Sequence, residues 1–155
     1  MRSGMRLVLG VTMAAGLFGC KSKPPSPLAE AAKASLHDGE LSPATPIFNV
    51  RSLAESQRYF RDKLGFKVEW EHGDPPSFGA VSRGHGVIFL CEGCQSHGGG
   101  LVMLFADDVD RLYRDFRERH AFIRMPPTTM PWQLREMHVV DLEGNVMRFA
   151  SRTEH

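Results

Sequence analysis

The chain has 155 residues, a formal net charge of +1, and an apolar share of 42% beside 24% charged residues; this leaves room for one domain and a tail and excludes two ordinary cores. So neutral a balance gives no electrostatic footprint for nucleic acid, and a small molecule or a protein is the partner to look for. The seven histidines and three cysteines have to be placed one by one, because number alone does not separate ligands from filler.

Arg2 and Arg6 precede an apolar run over 7–19, which is short for a bilayer span and suits the centre of a signal peptide. The run ends in Leu17-Phe18-Gly19-Cys20, which resembles the lipobox of bacterial lipoproteins, with small Gly19 before the cysteine and Phe18 a less usual occupant of its place. The resemblance implies that 1–19 is removed as a lipoprotein signal peptide and that Cys20 is acylated, so the membrane is a partner through a lipid anchor. The alternative is a plain signal peptide or an uncleaved anchor with an incidental cysteine. A secreted protein, lipid-anchored to the periplasmic face of the cell envelope, is the expectation. Lys21 is not the aspartate associated with inner-membrane retention, which favours the outer membrane. From Cys20 to Pro43 the chain is rich in Lys, Pro, Ser and Ala and has too little apolar surface to order itself, so 20–43 reads as a disordered tether with a brief helix at 28–36.

The remainder repeats itself. RSLAESQRYFRDKLGF (51–66) aligns without gaps on DDVDRLYRDFRERHAF (107–122), an offset of 107 − 51 = 56 residues. Leu53/Val109, Phe60/Phe116 and Phe66/Phe122 are the apolar pairs, and Arg61/Arg117 with Asp62/Glu118 the solvated ones, so each half carries an amphipathic helix. In chain order the expected elements are a strand at 45–50, a helix from Ser52 to Gly65, and strands at 66–71, 77–82 and 86–91. The second half follows with a strand at 100–106, a helix behind Asp107 and Asp108, and strands at 122–124, 135–140 and 145–151. Ser52 with Glu55 three residues on is a capping box, and Gly65 stands where a helix ends in a left-handed residue. Gly98-Gly99-Gly100 has no following helix and no Lys-Ser/Thr, so it is a joint between halves rather than a phosphate loop. The fold class is α+β, with βαβββ twice in a curved mixed sheet that carries helices on its convex face and a cup on the other.

Three stretches carry a family resemblance: SQRYFRDKLGFKV (56–68), PSFGAVSRGHGVIFL (76–90) and PWQLREMHVVDLEGNVMRFA (131–150). They resemble the vicinal oxygen chelate superfamily of glyoxalases, extradiol dioxygenases, fosfomycin-resistance enzymes and bleomycin-binding proteins. The Pro-Trp, Arg-Glu and Asp-x-x-Gly-Asn series is closest to the bleomycin-resistance branch. The resemblance covers 44–151, leaving 152–155 as a tail. Metal enzymes of this superfamily take one ligand from each of four strands, and the matching positions here are Thr45, Phe89, Leu101 and Arg148. One hydroxyl, two hydrocarbons and a permanent cation do not make a divalent-ion site, so no metal and no cofactor is expected.

Alternation along the strands places Thr45, Ile47, Asn49, Val87, Phe89, Cys91, Leu101, Met103, Phe105, Val146 and Arg148 in the cup. It turns Phe48, Val50, Ile88, Leu90, Val102, Leu104, Met147 and Phe149 toward the helices. The cup is then apolar with few polar groups, as small-molecule pockets are. Trp70, Phe78 and Trp132 are candidate aromatic walls, with plain packing or a dimer contact as the alternative. Arg148 needs a partner in such surroundings: either a ligand carboxylate or phosphate, or an ion pair with Glu136, with His138 also in reach. Cys91 and Cys94 with His97 have CxxC and CxxCxxH spacing, which leaves a local disulfide, two free thiols or a structural metal open. His72, His85, His97, His120 and His155 are expected in loops or at a terminus.

The candidate ligand-binding residues are therefore Arg148, Glu136, His138, Trp132, Phe89, Met103 and Trp70, with Cys20 the lipidation site and no catalytic residue assigned. The resemblance implies a homodimer that sequesters a small molecule without chemistry. Bleomycin itself, a cation whose binders are acidic, fits a near-neutral domain with Arg148 in its cup less well than another apolar or anionic compound. An enzyme of the lyase, isomerase or dioxygenase kind would need a metal elsewhere or metal-free acid/base work by Glu136 and His138. The third reading is a protein-interaction module with no small ligand.

Overall fold

A computed structural model describes residues 43–94 and 99–153. The expected leader, Cys20, the tether with its brief helix, His97, Gly98 and His155 lie outside the described residues. Element order follows the duplication: β1 (Ile47–Val50), α1 (Leu53–Leu64), β2 (Lys67–Gly73), β3 (Pro76–Arg83) and β4 (Gly86–Glu92), then β5 (Leu101–Phe105), α2 (Val109–Glu118), β6 (Ile123–Thr129), β7 (Leu134–Val140) and β8 (Val146–Arg152). The eight strands form two four-stranded mixed sheets, β1-β4-β3-β2 and β5-β8-β7-β6, one from each βαβββ unit. In each, the first strand runs parallel to the last, and the remaining pairs are antiparallel.

Local chemistry sets both helices. Ser52 Oγ accepts from the Glu55 amide at 3.3 Å, and the Leu53 amide donates to Glu92 Oε2 at 2.9 Å; these occupy donors that the first turn leaves unpaired. Asp108 Oδ1 does the same for the Arg111 amide at 2.9 Å. The two C-termini differ by one residue. Gly65 is left-handed, with φ 64°, and the next amide, Phe66, donates to Phe60 O. In the second half the left-handed residue is His120, with φ 56°, and the next amide, Ala121, donates to Phe116 O. Ala121, not Phe122, thus occupies the place of Phe66, which corrects the expected Phe66/Phe122 pair: Phe66 is 3% exposed and Phe122 64%. The shorter turn shifts the repeat register by one residue at this point. The other apolar pairs, Leu53/Val109 and Phe60/Phe116, are buried as the pattern requires.

Two strand limits also differ from the sequence pattern. β6 continues through Pro126 and Pro127 to Thr129, because it is an edge strand with a register shift between Met125 and Thr128, where missing amide donors are tolerated. β2 runs on to Gly73, so His72 lies on a strand rather than in a loop. Thr45 precedes β1 and is exposed.

One hydrophobic core runs through both halves, from Phe48, Leu53 and Phe60 to Phe116, Met137 and Phe149. The repeat uses equivalent helix positions to cross between halves. Tyr59 Oη donates to Val140 O at 2.8 Å and accepts from the Phe122 amide at 3.2 Å. Its counterpart Asp115 accepts from Arg83 Nη2 at 2.7 Å, while Arg83 also donates to Leu64 O and lies over the Phe116 ring.

The Asp-x-x-Gly-Asn motif is a clip between halves, since Asn145 Nδ2 donates to Asn49 O of the first half at 3.4 Å. Asp141 accepts from the amides of Glu143 and Asn145 and from Asn145 Nδ2, and Asn145 Oδ1 accepts from the Gly100 amide at 2.6 Å. Burial pushes the Asp141 carboxyl above the usual carboxylate range, against the pull of these donors. A Cβ on Gly100 would stand 2.6 Å from a ring carbon of Phe48, a core residue that cannot move aside without opening space elsewhere. Gly100→Ala is therefore expected to cost about 1–3 kcal/mol, read as a lower midpoint in urea denaturation with an unchanged slope; unaltered stability would mean that the joint is loose.

Candidate functional site

Each sheet turns one face to the helices and the other away from them, and the second face carries the candidate site residues. Strand alternation holds: Phe48, Val50, Ile88, Leu90, Met147 and Phe149 are buried in the core, Val102 and Leu104 pack against it, and Ile47, Leu101, Met103 and Phe105 are exposed. Strand pairing aligns the two halves residue by residue. Across the first sheet, Ile47, Phe89, Ala80 and Trp70 stand in one row; the equivalent row in the second is Met103, Arg148, His138 and Met125. Phe78 and Glu136 are likewise equivalents in the adjacent row.

The same backbone plan carries opposite chemistry in its two copies. In the first half Trp70, Phe78 and Phe89 form a closed triangle of edge-on rings, with centroids 5.2, 5.2 and 5.6 Å apart, covering the fully buried Ala80. Such pairs favour edge-to-face packing because ring edges are positive and faces negative. Cys91, which pairs with Phe78 on this face, is joined in a disulfide to Cys94, so of the three possibilities left by the CxxC spacing the bridge is the one formed.

In the second half an ion pair replaces the rings. Glu136 is fully buried; its Oε2 accepts from Arg148 Nε at 3.0 Å and from Arg148 Nη2, and its Oε1 accepts from Trp132 Nε1 at 2.6 Å. His138 Nε2 stands 3.5 Å from Glu136 Oε2, and the Arg148 guanidinium lies 5.9 Å from the centre of the Trp132 ring. Burial alone would raise the Glu136 carboxyl, but the bonds from Trp132 and Arg148 and the charge of Arg148 outweigh it and hold the group below its ordinary range. Glu136 is a bound carboxylate with both oxygens in use.

Beside this pair lies an open hollow of about 620 Å³. Leu101, Met125 and Val146 line its apolar side, Arg124, His138 and Arg148 its polar side, and Gly99 and Gly100 one end. A second hollow, of about 420 Å³, opens between the halves over Phe66, Leu104 and Phe149, but its guanidinium, Arg83, is tied to Leu64 O and Asp115.

Of the expected site residues, Arg148, Glu136, His138 and Trp132 are brought together, and Met103 pairs with Arg148. Phe89 and Trp70 belong to the aromatic triangle of the other sheet and do not line the hollow. Sequence reasoning missed Arg124 and Met125, because the register shift between Ile123 and Met125 hides which of them shares a face with His138. The four superfamily metal positions do not suit a divalent ion: Thr45 offers one hydroxyl, Phe89 and Leu101 none, and Arg148 is a cation already bound to Glu136. Among the described residues no three of His, Cys, Asp and Glu converge on a common point.

The comparisons agree with this architecture. The family model described as Glyoxalase/Bleomycin resistance protein/Dioxygenase superfamily matches residues 44–149. Comparison with curated protein sequences finds no match. Among solved structures, TioX from Micromonospora sp. ML1 is similar at 18% identity and a TM-score of 0.62, covering 71% of this chain and 99% of its own. A glyoxalase/bleomycin resistance protein/dioxygenase from Nocardioides is similar at 15% identity and 0.60, covering 82% and 92%, and a glyoxalase-related enzyme from Clostridium phytofermentans at 18% and 0.62, covering 76% and 100%. At such identities the likeness speaks for the fold alone, and with the family model spanning more than half of the sequence, the chain belongs to the glyoxalase/bleomycin resistance protein/dioxygenase superfamily.

Proposed function

We propose that this chain is a metal-independent small-molecule-binding protein of the bleomycin-resistance-like kind, held on the cell envelope by an acylated Cys20 behind a lipoprotein signal peptide. The observation that carries the reading is the pair of buried Glu136 with Arg148, which stands beside an open, mostly apolar hollow where a metal enzyme of the superfamily would place donors. A hollow of about 620 Å³ falls within the range of small-molecule sites. An acid/base role for Glu136 is disfavoured by the two neighbours that occupy its oxygens, since a general base needs a free lone pair aimed at its proton. The exposed apolar side chains of Ile47 and Phe105 on the edge strands β1 and β5 support a homodimer, because monomers seldom leave such surface in water.

The test combines elemental analysis and a thermal-shift screen of the purified full-length protein. Substoichiometric divalent metal is expected, together with a stabilising response to at least one small-molecule class; a ligand at about a hundred times its Kd adds about 2.7 kcal/mol. A full equivalent of tightly held metal, or a screen without any stabilising compound, would overturn the reading.

A further inference from the structure

The two copies of the repeat differ in how their outward faces are filled. In the first half the face is occupied by the chain's own rings, Trp70, Phe78 and Phe89. At the equivalent places in the second half stand Met125, Glu136 and Arg148, and the space above Met125 and Arg148 is the open hollow. An occupant with an apolar body would rest on Leu101, Met125 and Val146 as the rings of the first half rest on their own sheet.

Charge sets what else the occupant must carry. Among the described residues the hollow is lined by two guanidinium groups, Arg124 and Arg148, and by no carboxylate. Glu136, beneath it, is spent on one of them: Nε and Nη2 of Arg148 are bound to Glu136, and Nη1 has no partner among the described residues. Arg124 is exposed and makes no hydrogen bond or ion pair among the described residues. The neutralised pair therefore holds Arg148 in place, and Arg124 adds an uncompensated cation with five donors. Two planar forks on one cavity suit a carboxylate, which takes paired donors.

We propose that the hollow of the second sheet binds an organic monoanion, a carboxylate on an aryl or alkyl body, with Arg124 as the residue that selects for charge and Arg148 as the fixed donor held by Glu136. This deepens the small-molecule reading above and rests on it. Arg124 is a specificity residue, and because it is exposed and makes no ion pair among the described residues, its removal leaves stability intact.

The experiment is a binding titration of the full-length protein with naphthylacetate, phenylpropionate and decanoate, each beside its primary amide. At least one acid is expected to bind about tenfold or more tightly than its amide, as a charge-assisted hydrogen bond requires, and to weaken with added salt. Arg124→Gln should abolish the preference for the acid while leaving the melting temperature of the free protein unchanged, and Arg124→Lys should restore part of it. Amides that bind as well as acids, or an Arg124→Gln variant that still prefers the acid, would overturn the proposal and leave the small-molecule reading standing. Failure of every acid and amide to bind would overturn the proposal, and the small-molecule reading falls with it only if the broader screen is also empty.

Discussion

Replacing Arg148 by methionine should destabilise the domain by about 3 kcal/mol at neutral pH, toward the lower end of what breaking a buried ion pair costs, and lower its melting temperature by on the order of 10 °C. The loss does not arise from the methionine, whose volume suits the site. It arises from Glu136, whose side chain is 0% exposed while that of Arg148 is 26% exposed. Without the guanidinium, the carboxylate keeps only the Trp132 indole N–H and the imidazole of His138 for company, and either it stays charged in a place water cannot reach or it takes a proton. The double variant Glu136→Gln/Arg148→Met should recover most of the stability, since the amide oxygen can still accept from Trp132 and no charge is buried.

Acid should narrow the gap between wild type and Arg148→Met. In the wild type the Glu136 carboxyl is depressed, so its contribution is present above the unfolded-state pKa and is lost as pH falls through the folded value. In the variant the same carboxyl is raised by burial, so its penalty is relieved as pH falls. Both effects act in one direction, and taking the difference between two proteins cancels groups of opposite sign such as Asp141, whose raised pKa favours the folded state on acidification. Urea denaturation of both proteins from neutral pH to below the glutamate range measures this. A gap that stays constant across that range, or a double variant no more stable than the single one, would show that the pair does not hold Glu136 as described.

What could be read in advance was what is decided locally. Ser52, Gly65 and Asp108 mark helix ends through bonds within a few residues, and strand alternation sorts Phe48, Ile88 and Met147 from Ile47, Phe89 and Arg148 with no knowledge of the partner strand. The errors lie where a single residue shifts a register. The gapless repeat equates Phe66 with Phe122, yet the left-handed residues are Gly65 and His120, so the helix-ending turn is one residue shorter in the second half and leaves Phe122 in water. The shift in β6 conceals Arg124 and Met125 in the same way. The Trp132 to Glu136 bond also lay beyond a linear reading, because it depends on a turn with left-handed Gln133, φ 64°. Alternation turns both Phe89 and Arg148 outward from the helices, but that they stand on different sheets, with Trp70 beside Phe89, is a tertiary fact that no single strand carries. Leu101, which alternation turns toward the cup as well as marking a lost metal position, lines the apolar side of the hollow.

Phe116→Ala is expected to cost about 3–5 kcal/mol, the usual loss for removing a buried phenylalanine ring, and to destabilise both halves by the same amount. Phe116 is fully buried, its ring meets Phe149 edge-on at a centroid distance of 5.2 Å, and the Arg83 guanidinium of the first half lies 5.3 Å from its centre. A chain made of two similar units invites the view that each unfolds alone, but the buried side chains form one cluster from Phe48 to Phe149, and Tyr59 and Arg83 bind across it. Neither half can open without exposing apolar surface of the other, so unfolding should be a single cooperative transition. The two tryptophans make this measurable, because Trp70 lies in the first half and Trp132 in the second. With Trp132→Phe and Trp70→Phe backgrounds each reporting one half, Phe116→Ala should shift both fluorescence midpoints in urea together. A shift confined to the Trp132 signal, with Trp70 unmoved, would mean that the halves fold separately and that the contacts made by Tyr59 and Arg83 contribute little.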